Sequence, residues 1–94
     1  MNKEEFKAKA EQSIDEVSAK INEVKAKKES VTEDSKSKYD EALKELEAKK
    51  SELETKYNDL KEASEDKWEE AKDAFSSASD SFKEGWSKIS SLFS

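Results

Sequence analysis

Large apolar side chains recur every three or four residues from one end of the chain to the other. The recurring positions advance by about 3.6 residues per step, which is the period of an α-helix. Ile21, Tyr39, Tyr57, Phe75 and Phe93 follow one another at intervals of 18 residues, or about five helical turns. Nearly all large apolar side chains would therefore lie on one face of a helix. The pattern predicts an all-α protein built from long amphipathic helix.

Signals that end helices are nearly absent. The chain has no proline and a single glycine near its C-terminal end. Two weak breaks can be identified: a capping-box pattern at Ser30 and Glu33 within the polar segment 28–38, and Ser64 within segment 63–66. An uninterrupted helix would be about 140 Å long. We therefore expect one continuous helix in a coiled-coil homo-oligomer, and the alternative is a chain that folds back as a helical hairpin or a three-helix bundle.

The apolar stripe of a lone helix needs cover, because burial of each large apolar side chain contributes about 1.5–3 kcal/mol. Every copy of the chain carries the same stripe, so self-association is the simplest source of that cover. We predict that residues 1–94 form a single helical coiled-coil domain that is a homo-oligomer, with strand number and strand direction left open. The predicted oligomer seam consists of Ile14, Val17, Ile21, Val24, Val31, Tyr39, Leu43, Leu46, Leu53, Tyr57, Leu60, Trp68, Phe75, Phe82, Trp86, Ile89 and Phe93.

Composition argues against an enzyme. Charged residues make up 45% of the chain and hydrophobic residues 32%, whereas about 45–50% apolar residues is usual for a globular domain. The chain contains no histidine and no cysteine, which excludes histidine bases, thiolate zinc sites and disulfides. A dense run of carboxylates between residues 62 and 73 is interpreted as a solvated helix face, because Ca²⁺ and Mg²⁺ prefer oxygens that converge from a loop. We predict no catalytic, cofactor-binding or metal-binding residues and no small-molecule substrate.

Charge is unevenly distributed along the chain. All 18 basic residues are lysine and the net charge is −6, so nucleic acid is not an expected partner. Residues 39–74 contain seven lysines and thirteen acidic residues, whereas residues 1–38 and 75–94 are each neutral. No apolar run is long enough to span a bilayer, and the N-terminus lacks the features of a secretory signal. These observations predict a cytoplasmic protein.

The C-terminal segment, residues 75–94, has a distinct composition. It contains eight serines and no net charge, and bulky aromatic side chains lie opposite the serines. Weakly charged serine faces opposite aromatics are typical of amphipathic helices that bind lipid surfaces. The alternative function is therefore a peripheral membrane or lipid-binding helix, driven by Phe82, Trp86, Ile89 and Phe93. The same aromatics would otherwise fill the end of an oligomer core.

Two stretches resemble a known group of proteins. The opening MNKEEFKAKAEQSIDEVSAKI and residues 60–75, LKEASEDKWEEAKDAF, are similar to small bacterial coiled-coil stress-response proteins. That resemblance implies a cytoplasmic, non-enzymatic self-association or scaffold protein with a stress-protective role. It brings no catalytic residues with it. A weaker likeness to apolipoprotein-like amphipathic helices rests on the helical period of the stripe alone.

Overall fold

Three helices lie side by side in the computed structural model, which describes residues 2–91. The helices are α1 (Lys3–Glu29), α2 (Glu33–Glu62) and α3 (Trp68–Ser90), and a 3₁₀ turn (Glu65–Lys67) leads directly into α3. Because the described part of the chain contains no β-strand, the predicted all-α class is confirmed.

The expectation of one continuous helix is wrong, and the alternative arrangement, a three-helix bundle, is the fold. The molecule measures 51 Å along its longest axis and 18 and 17 Å across, whereas a continuous rod would reach about 140 Å. The chain reverses direction at residues 30–32 and again at 63–67. Folding back allows three stretches of the apolar stripe to cover one another, so a single chain supplies the burial that we had expected from a second copy.

The first helix begins where the sequence places a capping residue. The side-chain oxygen of Asn2 accepts a hydrogen bond from the backbone N–H of Glu5 at 2.8 Å. In return, the Asn2 amide donates to the Glu5 carboxylate at 3.1 Å. Glu4 and Glu5 also place negative charge at the positive end of the helix dipole. These contacts fix the start of α1.

The first turn lies in the predicted break segment, but the predicted capping box is wrong. Ser30 ends α1 rather than starting α2: its backbone N–H donates to the carbonyls of Lys27 and Lys28, and its hydroxyl donates to the Lys27 carbonyl at 3.0 Å. Thr32 occupies the N-cap position of α2 with an extended backbone, φ −70° and ψ 162°; its side chain does not cap the helix backbone but donates to the Ser35 hydroxyl at 3.5 Å. Serine also suits a helix C-terminus because its hydroxyl can satisfy a carbonyl there.

The second turn uses the same kind of backbone. Ala63 and Ser64 are extended, with φ values of −65° and −74°. No residue between 2 and 91 has a positive φ. Neither turn therefore needs glycine or asparagine, which explains why the sequence lacks the usual turn residues.

The core is centred on α2, which packs against both other helices. Leu46, Leu53 and Leu60 of α2 are fully buried, and Val24 of α1 joins them. The three leucines are seven residues apart, so their side chains follow one line along α2 in the manner of coiled-coil core positions. These leucines provide the main packing surface of the bundle.

The residues predicted to form the oligomer seam lie between the helices of one chain. The buried members are Val17, Ile21, Val24, Tyr39, Leu43, Leu46, Leu53, Leu60, Trp68, Phe75, Phe82 and Ile89. The members half-buried against the same core are Ile14, Val31, Tyr57 and Trp86. Phe93 lies outside the described residues. The stripe is therefore covered without a second copy, and a role for these residues between chains stays a prediction.

Candidate functional site

The interface between α1 and α3 is the least tightly packed of the three by backbone separation, although larger clefts also lie at the edges of both interfaces with α2. The backbones of α1 and α3 stay further apart than either stays from α2. Two adjoining clefts, of about 100 Å³ and about 180 Å³, run along this interface. The surface that we call the α1–α3 groove is lined by Phe6, Lys9, Ala10, Ser13, Glu16, Val17 and Lys20 of α1 and by Phe75, Ser76, Ser79, Asp80, Phe82, Lys83 and Trp86 of α3.

Small side chains explain why the groove is open. Ser13 of α1 and Ser79 of α3 line both clefts, and Ala10 lines one of them. Helical spacing places these residues toward the facing helix, but their side chains are too short to bridge the gap. The interfaces with α2 have leucines at the equivalent depth. Residue size, rather than a change in the period of the stripe, leaves the groove unfilled.

An aromatic cluster closes the N-terminal end of the groove. The ring of Phe6 contacts Trp68 and Phe75 edge-on, with centroid distances of 5.9 Å and 6.2 Å. The Lys3 ammonium lies 5.5 Å from the centroid of the Trp68 ring and binds the Glu65 carboxylate at 2.7 Å. The hydrogen bond from Lys3, and then its charge, lower the pKa of Glu65 below its ordinary value. These contacts attach the start of α1 to the start of α3.

The opposite end of the groove carries a half-buried tryptophan. Trp86 lies beside Phe82, which is buried, and the Lys20 ammonium is 5.5 Å from the centroid of the Trp86 ring. Lys83 lines the same cleft. This end therefore combines apolar surface with two ammonium groups and the Glu16 carboxylate, so its net charge is weakly positive.

The residues predicted to bind lipid are mostly turned inward. Phe82 and Ile89 are buried in the core, Trp86 is half-buried, and Phe93 lies outside the described residues. Residues 75–90 of the predicted C-terminal segment belong to α3 without a boundary at residue 75. In this conformation, direct insertion of the aromatic face into lipid would require α3 to move away from its neighbours.

The polar contacts between α1 and α2 include two ion pairs at the edge of the apolar core. Lys25 pairs with Glu47 at 3.4 Å, and Lys28 pairs with Asp40 across the first turn. The Tyr57 hydroxyl donates to Glu11 at 3.4 Å. Burial raises the pKa of Tyr57 above its ordinary value, and the charge and hydrogen bond of Glu11 act in the same direction.

Sequence reasoning missed the role of the single glycine. Gly85 is buried where α3 meets α2, and a Cβ atom there would lie 2.9 Å from Cε of Lys49. The Lys49 ammonium continues past the glycine and donates to the Ser81 hydroxyl at 2.9 Å. The available signal was an isolated glycine inside a helical pattern, which often marks close packing.

The acidic run is solvent-exposed in the structure. Glu69 pairs with Lys72 at 3.2 Å, and Glu70 pairs with Lys67 at 3.7 Å. Across residues 2–91, no three acidic side chains are grouped so that they could hold a metal ion. Over the same residues, none of the helices combines the length and the hydropathy needed to cross a bilayer.

Comparisons with known proteins identify no relative: no family model matches the chain, and no curated protein or solved structure matches it significantly. The resemblance to bacterial coiled-coil stress-response proteins therefore stays a prediction.

Proposed function

We propose that this chain is a non-enzymatic self-association or scaffold module, and that two copies meet across the α1–α3 groove. The observation that carries the proposal is the groove itself. Its floor includes Val17, Phe82 and Trp86, and it lies between the two helices whose backbones are furthest apart in the bundle. Covering this apolar floor favours association because it removes apolar surface from water.

The charge distribution supports contact through α1 and the later part of α3. The whole chain has a net charge of −6, so two copies repel each other in most orientations. Residues 3–29, which form α1, contain seven lysines and seven acidic residues, and residues 75–90 contain two of each. The groove is therefore flanked by neutral helix surface, and two copies approach there with the least repulsion.

The groove is small, so we expect a reversible contact. Stable protein interfaces bury about 800 Å² on each partner, and a shallow groove between two helices falls at the low end of that range. A weak homodimer fits a scaffold that assembles when its local concentration rises.

Sedimentation equilibrium over a range of concentrations tests the proposal. We expect the mass of the wild type to rise above 10.7 kDa as concentration increases. Ser79→Lys places a charge in the groove and should weaken the dimer by about tenfold or more, because a second copy that covers the added ammonium must remove it from water. Ser77→Lys makes the same charge change at an exposed position of α3 outside the groove and should leave association unchanged. A mass of one chain at every concentration up to millimolar would reject the proposal.

A cytoplasmic location and a stress-protective role, which the family resemblance implies, belong to the same proposal. Deleting the gene in its host and measuring survival after heat, osmotic shock or drying tests that role. Complementation by the wild type but not by Ser79→Lys would link protection to association through the groove. Equal survival with and without the gene in all three conditions would remove stress protection from the proposal.

A second candidate function is binding to a lipid surface. It is favoured by the half-buried Trp86 beside Lys20 and Lys83 at one end of the groove. Separation of α1 from α3 would allow the aromatic face of α3 to enter the headgroup region, as amphipathic helices do. Flotation with small anionic and zwitterionic vesicles should recover the wild type and lose Trp86→Ser, provided circular dichroism shows that the variant is still folded. No flotation of the wild type with either vesicle type would rule out this function.

A further inference from the structure

The buried faces of α1 and α2 would coincide if the two helices were joined into one. Ile21 of α1 and Tyr39 of α2 are both buried and are 18 residues apart; Val24 and Ala42 repeat the same relation. At 3.6 residues per turn, about five turns separate the members of each pair, so both would lie on the same side of a continuous helix. The first turn therefore preserves the helical phase of the apolar stripe. If residues 30–32 became helical, the stripe would continue along one face from α1 into α2.

The turn that separates the two helices is short and compatible with a helix. It consists of residues 30–32, which include neither glycine nor proline. Thr32 has a φ of −70°, which is already helical, and a ψ of 162°. A helix requires a ψ near about −42°. Ser30, with φ −100° and ψ 1°, is also close to the helical region. At Thr32, straightening the turn therefore requires a rotation of ψ alone, and at Ser30 only a small adjustment.

We propose that the chain exchanges α1 with a second copy by straightening this turn. Residues 3–62 then form one helix about 90 Å long, and two such helices lie antiparallel. The α1 segment of each copy packs against the α2 segment of the other, so the contacts that join α1 to α2 within one chain form between chains. The arrangement is two-fold symmetric and closed, and it buries the same residues as the monomer.

The open groove makes α1 easier to detach than a helix that is packed closely on both sides. α1 is held closely by α2 but has fewer close approaches to α3. Within residues 2–91, the aromatic cluster around Phe6, the ion pair of Lys3 with Glu65 and the contact of Lys20 with Trp86 join α1 to the α3 side of the bundle, and these contacts re-form in the exchanged dimer. The proposed exchange rests on the shared direction of the buried faces of α1 and α2, not on the groove contact proposed above. Either proposal can therefore fail without the other.

One substitution distinguishes the closed from the exchanged form. Glu33 is the first residue of α2, a position where proline is tolerated, and the preceding Thr32 has the extended backbone that proline favours. In the continuous helix the same residue lies in the helix interior, where proline removes a hydrogen bond and clashes with the preceding turn. Glu33→Pro therefore fits the monomer and opposes exchange. Glu33→Ala removes the same charge and permits both forms.

The experiment is refolding from denaturant at millimolar concentration, followed by dilution, light scattering on a sizing column and small-angle X-ray scattering. We expect the wild type and Glu33→Ala to yield a slowly dissociating dimer with a maximum dimension of at least about 90 Å. Glu33→Pro should reduce that dimer by about tenfold or more while circular dichroism remains helical. Ser79→Lys should retain it.

Three results would overturn the inference. The first is a compact dimer that Glu33→Pro preserves and Ser79→Lys abolishes, which would instead support contact across the groove. The second is an elongated dimer that Glu33→Pro leaves unchanged. The third is the absence of any slowly dissociating dimer after concentrated refolding of the wild type and Glu33→Ala; this result rejects the exchange alone, because a reversible contact across the groove dissociates on dilution and is tested by sedimentation equilibrium.

Discussion

The three helix interfaces are built from the same helical repeat, but side chains fill them differently. Two of these interfaces involve α2, and the third lies between α1 and α3. Leu46, Leu53 and Leu60 of α2 are fully buried, whereas Ser13 and Ser79 face the α1–α3 groove and leave clefts of about 100 Å³ and about 180 Å³. The period of the stripe decides which side chains face inward. The size of those side chains decides whether an interface closes. Stability should therefore depend on α2, and binding on the groove.

The largest expected effect comes from removing a leucine of α2. Leu53→Ala leaves a cavity among side chains that are fully buried and should lower the free energy of unfolding by about 2–5 kcal/mol. Urea denaturation followed by circular dichroism measures the change. Ala48→Gly, at an exposed position of α2, should cost only about 1 kcal/mol through helix propensity. Equal losses for the two variants would contradict the importance that we assign to the α2 core.

Opening the aromatic end of the groove should have a smaller effect. Phe6→Ala removes two edge-on ring contacts, and since Phe6 is only half-buried we expect a loss of about 1–2 kcal/mol, below that of a fully buried phenylalanine. Phe6→Leu, which retains bulk without the ring, should recover part of the loss. A loss from Phe6→Ala as large as that from Leu53→Ala would mean that the α1–α3 interface is packed as closely as the α2 interfaces.

Filling the groove should stabilise the bundle. Ser79→Leu adds apolar volume where the structure has a cleft, and we expect a gain of about 0.5–1 kcal/mol in the free energy of unfolding. Ser77→Leu places the same side chain on the exposed face and should give no comparable gain. Destabilisation by Ser79→Leu would show that the groove is already filled in solution, and the comparison between the two kinds of interface would fail.

The smallest expected effect concerns the edge of the α1–α2 interface. Tyr57 donates to Glu11 across a partly exposed contact, so Tyr57→Phe should change stability at neutral pH by less than about 0.5 kcal/mol. Because folding raises the pKa of Tyr57, the protonated tyrosine contributes stability below its unfolded pKa of about 10, and that contribution is lost as pH rises through the folded value. The difference between the wild type and Tyr57→Phe should therefore fall at alkaline pH. A difference that does not vary with pH would contradict the assigned contact.

Local features of the bundle were more predictable than its arrangement. The cap at Asn2 follows from residue type and spacing, and the two turn regions follow from polar segments that contain serine. The assignment of Ser30 as a helix start was wrong because a serine hydroxyl can satisfy either end of a helix. The position of the groove could not be predicted from the sequence. The serines that line it follow the same helical spacing as serines on the solvent-exposed face. The structure is needed to show which of them face another helix.

The helical class and the identity of the buried face follow from the sequence, because a period near 3.6 residues has one interpretation over so many turns. That three segments cover one another within a single chain is visible only in the folded structure. A rod in an oligomer and a folded bundle bury the same stripe, and they differ only in short turns whose residues suit both helix and extended backbone. The choice between rod and bundle depends on the free-energy cost of bringing two chains together relative to the cost of closing short loops. The pattern of apolar residues does not encode that balance.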